Sequence, residues 1–184
     1  RQASIYGLFL AGQSAINSGR SREAADYFVQ AQGLDKANAM LAQRAFTAAL
    51  LAGDVSTAAR MASLSGEGAE PAQNLGILVQ AVDGLATGKP KGAKAAFDRL
   101  SQKTLGPPYQ GAADMLLPFA AAGAGDWDAA LALPAVTGDR FVAFFVQLNQ
   151  AQLMEQAWRA DDAAAVYRTM LASADAGTYV TQAC

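Results

Sequence analysis

Apolar side chains recur along this chain at i, i+3, i+4 and i+7, in runs broken by glycine, and never alternate over the length of a strand. The pattern predicts helices in antiparallel pairs. A first helix runs from Ser4 or Ile5 to Ser18 with Leu8, Ala11, Gly12 and Ala15 on one stripe, and Gly19 suits the left-handed position after it. Ser21 is read as the cap of a second helix to Gly33, with Ala24, Phe28 and Ala31 inward and Tyr27 beside them. The next pair is 36–52 and 55–64, with Asp35 and Asp54 as caps, followed by a loop over 65–71. A third pair spans 72–87 and 91–101 around Gly88-Lys89-Pro90. In the fourth, 109–122 is followed by a short helix over 127–133 that Pro134 stops, because proline lacks an N–H and its ring clashes with the preceding turn. The fifth pair is 139–158 and 161–173. Residues 176–184 show no period and read as a tail or the start of a further pair.

The pairs are in register with one another. Gly19, Gly53, Gly88, Gly125 and Trp158 stand 34, 35, 37 and 33 residues apart. Five residues after each comes an alanine: Ala24, Ala58, Ala93, Ala130 and Ala163. Nine residues after, Phe28, Phe97 and Tyr167 place an aromatic in three of the five, and these three are expected to be buried. A period near ~34 residues marks stacked helical hairpins, each too small to bury its apolar face alone.

Gly12, Gly19, Ala24, Phe28 and Ala31 in the first pair, and their counterparts through Ala151, Ala163 and Tyr167 in the fifth, resemble the tetratricopeptide repeat (TPR). The resemblance covers roughly Ile5 to Ala174 and departs from the family at several points. The family's helix-A tryptophan and tyrosine are absent, Phe46 fills a slot normally small, and Trp158 stands at a glycine turn. The resemblance implies an all-α fold: a right-handed α-solenoid of five antiparallel hairpins over 4–174, with 175–184 as tail or truncated repeat. It also implies a concave groove lined by the first helix of each pair. Mapped onto this chain, that groove includes Phe9, Gln13, Asn17, Gln43, Thr47, Phe119 and Gln152, with Tyr6, Ile16, Met40, Leu50, Leu75, Leu78 and Leu148 among its apolar members.

Composition narrows the chemistry. Hydrophobic residues make up 52% and aromatics only 8%, so alanine carries the apolar content, which favours helix and close helix approach. There is no histidine, which removes Ser-His and Cys-His nucleophile pairs, His-based zinc sites and the commonest neutral-pH base. The single cysteine, Cys184, has no basic neighbour in sequence. Gly66-Glu67-Gly68 lacks the strand and third glycine of a dinucleotide loop, and Gly123-Ala124-Gly125 lacks a phosphate-binding lysine. Asp126, Asp128, Asp161 and Asp162 fall at helix starts, where carboxylates cap free N–H groups. The five methionines are spread through the pairs as core filler. The reading is a non-enzyme without cofactor or metal.

Net charge is −2, with 14 basic and 16 acidic residues, and the only cationic cluster is Lys89, Lys91 and Lys94 beside a turn. A nucleic-acid partner is therefore not expected, and no apolar run is long enough for membrane insertion. The expected function is a scaffold that binds a protein or peptide segment in an apolar, amide-dotted groove. The occupant includes, as options, the remainder of a longer chain or a second copy in a homo-oligomer. Two other readings stay open: the helical, non-catalytic region of a larger cell-envelope enzyme, and an RNA-binding helical repeat. The chain opens on Arg1 rather than methionine, which fits a removed leader and equally a fragment. Arginine outnumbers lysine nine to five and alanine is abundant, as in GC-rich bacterial sources. The segment Ile5 to Leu34 also resembles the opening of alanine-rich TPR proteins exported by bacteria, which implies the periplasm or cell envelope, with the cytoplasm as the alternative.

Overall fold

The fold is that of a computed structural model, which describes residues 4–65, 70–100, 105–106, 109–132 and 140–172. Among these the chain is all-helical, with ten helices and no strand. They are α1 (Ile5–Asn17), α2 (Ser21–Leu34), α3 (Ala39–Leu51), α4 (Val55–Ala62), α5 (Glu70–Ala86), α6 (Pro90–Leu100), α7 (Tyr109–Gly123), α8 (Trp127–Leu131), α9 (Arg140–Gln156) and α10 (Ala160–Ala172).

One turn closes the first helix of four of the five pairs. The N–H of Arg20 donates to the Ala15 carbonyl at 2.9 Å while that of Gly19 donates to Ile16 at 3.0 Å. The same two bonds recur at Asp54→Ala49 with Gly53→Leu50, at Asp126→Ala121 with Gly125→Ala122, and at Arg159→Met154 with Trp158→Glu155. This double closure satisfies carbonyls that a helix end would otherwise leave bare, and it requires a left-handed residue between. Gly19, Gly53, Gly88 and Gly125 sit at φ 71°, 73°, 70° and 85°. Trp158 occupies the fifth such turn at φ 59°, where an L side chain is strained, and its ring is 95% exposed.

Helix starts are set by side-chain acceptors. Ser4, Asn38, Asp54 and Asp126 each accept from the backbone N–H three residues on, at 3.0, 3.3, 2.9 and 3.1 Å. Two expected caps are corrected. Ser21 is the first helical residue rather than the cap, because the Arg20 carbonyl already accepts from Ala24, and Arg20 instead pairs its guanidinium with Glu23 at 2.8 Å. Asp35 does not cap α3; its carboxylate accepts from the amide of Asn38, which is the cap, so α3 starts at Ala39 rather than at residue 36. The helix expected from residue 72 starts at Glu70. Pro118 lies inside α7 and is buried, leaving the Asp114 carbonyl without its helical donor, a feature the periodicity conceals. Pro134, residues 135–138 and the tail from 176 lie outside the described residues.

The chain divides into two compact units, Arg1–Thr87 with Ala96–Leu105, and Gly88–Ala95 with Gly106–Cys184. In unit 1 packing is consecutive: α1 on α2, α2 on α3, α3 on α4 and α4 on α5. Its core joins Ala15, Ala24, Phe28, Ala45, Phe46, Ala48, Ala49, Ala58, Met61 and Val79. Alanine at these contacts lets backbones approach, and Gly12 shows how closely: a Cβ there would lie 2.7 Å from the buried Phe28 ring. In unit 2, α7 packs on α8 and α9, α8 on α9, and α9 on α10. Ala113, Ala121, Ala130, Ala151, Leu153 and Ala163 are buried there, and Asn149 on α9 donates to the Met115 carbonyl on α7 at 3.3 Å. Phe28 and Phe97 are buried as expected. Tyr167 is only half-buried, and its phenol pKa is raised by burial, by the Glu155 charge and by a hydrogen bond to that carboxylate.

Two measurements check these assignments. Trp158→Gly should raise stability by about 1 kcal/mol, or about 2–4 °C in melting temperature, because it removes left-handed strain and loses no packing. A lower melting temperature would mean that the ring has a structural partner. The Asp54 carboxyl is held below its ordinary 3.8, first by the Thr57 backbone N–H and next by the Thr57 side chain, with help from Arg22 and Arg60 outweighing partial burial. A depressed folded pKa contributes stability above the unfolded value, and that stability is lost as pH falls through the folded one. Asp54→Asn, which can still cap, should therefore flatten the melting-temperature decline below about pH 4, whereas Asp54→Ala should cost about 1 kcal/mol at neutral pH.

Candidate functional site

The open face of unit 1 is set by the helical period of α3. Leu41, Ala42, Ala45, Ala48 and Ala49 face inward and are buried, which turns Met40, Gln43, Arg44, Thr47 and Leu51 outward on the opposing stripe. Met40 and Leu51 are 52% and 66% exposed, a large apolar area to leave in water. Across from them α1 presents Gln13 and Ile16, and the edge of Phe28 contributes to the lining. The result is a groove of about 340 Å³. A second depression of about 440 Å³ continues from it, sharing Gln43 and Thr47 and walled by Ala62, Ser63, Leu75, Gly76, Ile77, Gln80 and Arg99.

Backbone and side chains fix this surface. The Thr47 hydroxyl donates to the Gln43 carbonyl at 3.1 Å, leaving the Gln43 amide outside that bond. Gln80 accepts from Arg99 at 3.4 Å and donates to the Ser63 hydroxyl at 3.1 Å, which joins α5, α6 and the end of α4. Gly76 keeps α5 close, since a Cβ there would lie 3.2 Å from Ala62.

Of the residues expected in a groove, Gln13, Gln43 and Thr47 line this one, with Ile16 and Met40. Asn17 is exposed at the end of α1 and outside the lining. Phe9 is half-buried, packed on the core, with its ring edge-on to Phe28 at a centroid distance of 5.9 Å. Phe119, half-buried on α7, and Gln152, exposed on α9, belong to unit 2. Leu78 and Leu148, expected along the groove, are instead buried core residues, because their helices turn those positions toward a neighbouring helix.

Arg44, Leu51 and Arg99 were missed. Arg44 and Leu51 each follow a family groove position by one residue (after Gln43 and Leu50), yet both lie on the exposed stripe that the core periodicity of α3 dictates. Arg99 comes from the second helix of a pair, which the groove rule omits. The lysine cluster does not form a free cationic site: Lys94 pairs with Asp126 at 3.3 Å. That aspartate also caps α8, and its pKa is lowered first by the Ala129 backbone N–H and then by Lys94.

Among the described residues no three acidic or thiol groups converge as they would around a metal ion, and no helix is long and apolar enough to cross a membrane. Among the described residues three buried polar atoms lack partners: the Asn74 side-chain oxygen and both amide atoms of the fully buried Gln150. Compared with known proteins, the chain matches no protein-family model and no curated protein.

An open groove makes a specific demand on stability. The triple variant Met40→Ala, Gln43→Ala, Leu51→Ala should melt within about 0.5 kcal/mol of the parent in equivalent stability per site, as surface changes do. A loss of several kcal/mol would mean that these side chains are packed against something in the free chain.

Proposed function

We propose that the chain is a TPR-like right-handed solenoid that acts as a protein-interaction scaffold, holding a partner's segment in the groove between α1 and α3 and its continuation along α5. The observation that carries this reading is the exposed apolar stripe of α3, Met40 and Leu51 bracketing Gln43, Arg44 and Thr47 in a concave, ordered surface. Such a surface buries an amphipathic or extended segment with favourable apolar area and directional amide hydrogen bonds. The register of the glycine turns and the consecutive packing within each unit support the repeat architecture.

Placing two charges in the groove tests the reading. Gln43→Glu with Thr47→Glu should abolish capture of a partner from the native source, with the thermal melt unchanged, since both positions are exposed. A variant that folds and retains every partner would place binding outside this groove.

A further inference from the structure

The two depressions of unit 1 share Gln43 and Thr47 and form one continuous surface, and among the described residues the charged ones lining it are Arg44 and Arg99. The described lining is thus cationic in a chain of net charge −2. Several cations elsewhere have carboxylates at hand: Arg20 pairs with Glu23 at 2.8 Å, Arg159 with Asp162 at 2.7 Å and Lys94 with Asp126 at 3.3 Å, while Arg22 and Arg60 act on Asp54. Arg44 has neither hydrogen bond nor ion pair among the described residues, and it stands between Met40 and Leu51 on the exposed stripe. Among the described residues Arg99 is held by the neutral Gln80 amide.

We infer that the segment this groove takes is an acidic amphipathic stretch of a partner protein, whose internal Asp or Glu side chains pair with Arg44 and Arg99 while its apolar side chains cover Met40, Ile16, Leu51 and Leu75. The inference rests on the groove reading above. A guanidinium offers a fork that matches a carboxylate bidentately, and apolar flanks lower the local dielectric and strengthen the pair. A nucleic-acid strand fits less well. Its bases need exposed rings to stack on, and the two rings in the lining, Phe28 and Phe46, are 1% and 7% exposed. Two cations are also few for a phosphate backbone.

The test is selection of random short peptides by display on the full chain, followed by binding measurements with a synthetic peptide from the selection. Enrichment of Asp and Glu beside Leu, Ile, Met or Phe is expected. Arg44→Glu should weaken that peptide about tenfold or more, and Arg44→Gln by less. Replacing the peptide's Glu by Gln should cost a similar factor in the parent and little in Arg44→Gln, and a Lys-bearing peptide should recover binding to Arg44→Glu. Peptides that bind through Gln43 and Thr47 without acidic enrichment, or that ignore Arg44→Glu, overturn this inference and leave the groove reading standing. A poly-uridine oligonucleotide that displaces the peptide and binds more tightly overturns it in favour of nucleic acid. A selection that yields no binder to the parent chain contradicts the groove reading itself, and this inference with it.

Discussion

Everything in this chain depends on a helix end that must turn left-handed. A helix leaves its last carbonyls unsatisfied, and the tightest way to close them is a pair of backbone bonds around one residue at positive φ. Gly19, Gly53 and Gly125 each make that closure, and the following residue immediately starts or caps the next helix. The chain therefore reverses within two or three residues, so the second helix must lie against the first. Five residues beyond the turn, alanine meets the facing helix where nothing larger fits. Turn and contact repeat together, which is why the sequence shows a period at all.

Alanine-based contacts also set where the open surface of unit 1 lies. Close helix approach buries the inner stripe of each helix with small residues, and Gly12 against Phe28 is its extreme. The two grooves of unit 1 run along an outer stripe, where α3 exposes Met40, Arg44 and Leu51. Trp158 breaks the rule of the turns without any packing in return, so its persistence is not explained by the fold of unit 2. The unpartnered Gln150 amide likewise sits at odds with the mostly apolar core around it.

Backbone closure was the legible part. Helix existence, turn positions and the burial of Phe28 and Phe97 follow from spacing, because glycine and alanine stand where geometry allows little else. Helix starts were less legible: Ser21, Asp35 and Asn38 are all competent caps, and the choice depended on which carbonyl first accepts a helical bond. Pro118 was invisible to periodicity because its side chain satisfies the apolar pattern while its missing N–H does not. Groove residues were half legible. Gln13, Gln43 and Thr47 line one surface, but a rule borrowed from family geometry passed over Arg44, Leu51 and Arg99. It also assigned Leu78 and Leu148 outward, although they are core residues. The inward periodicity of α3 was the better guide, since what is not needed by the core must face out.

The methionines offer a direct readout of the central claim, that a partner segment lies along α1 and α3. Met40 is half-exposed in the groove, Met61 is buried in the core of unit 1, and Met154 and Met170 belong to α9 and α10. With the five methionine methyls labelled and the full chain titrated with a selected peptide, the Met40 resonance should shift in step with binding while those of Met154 and Met170 stay in place. Saturable binding that leaves Met40 unmoved would contradict the account.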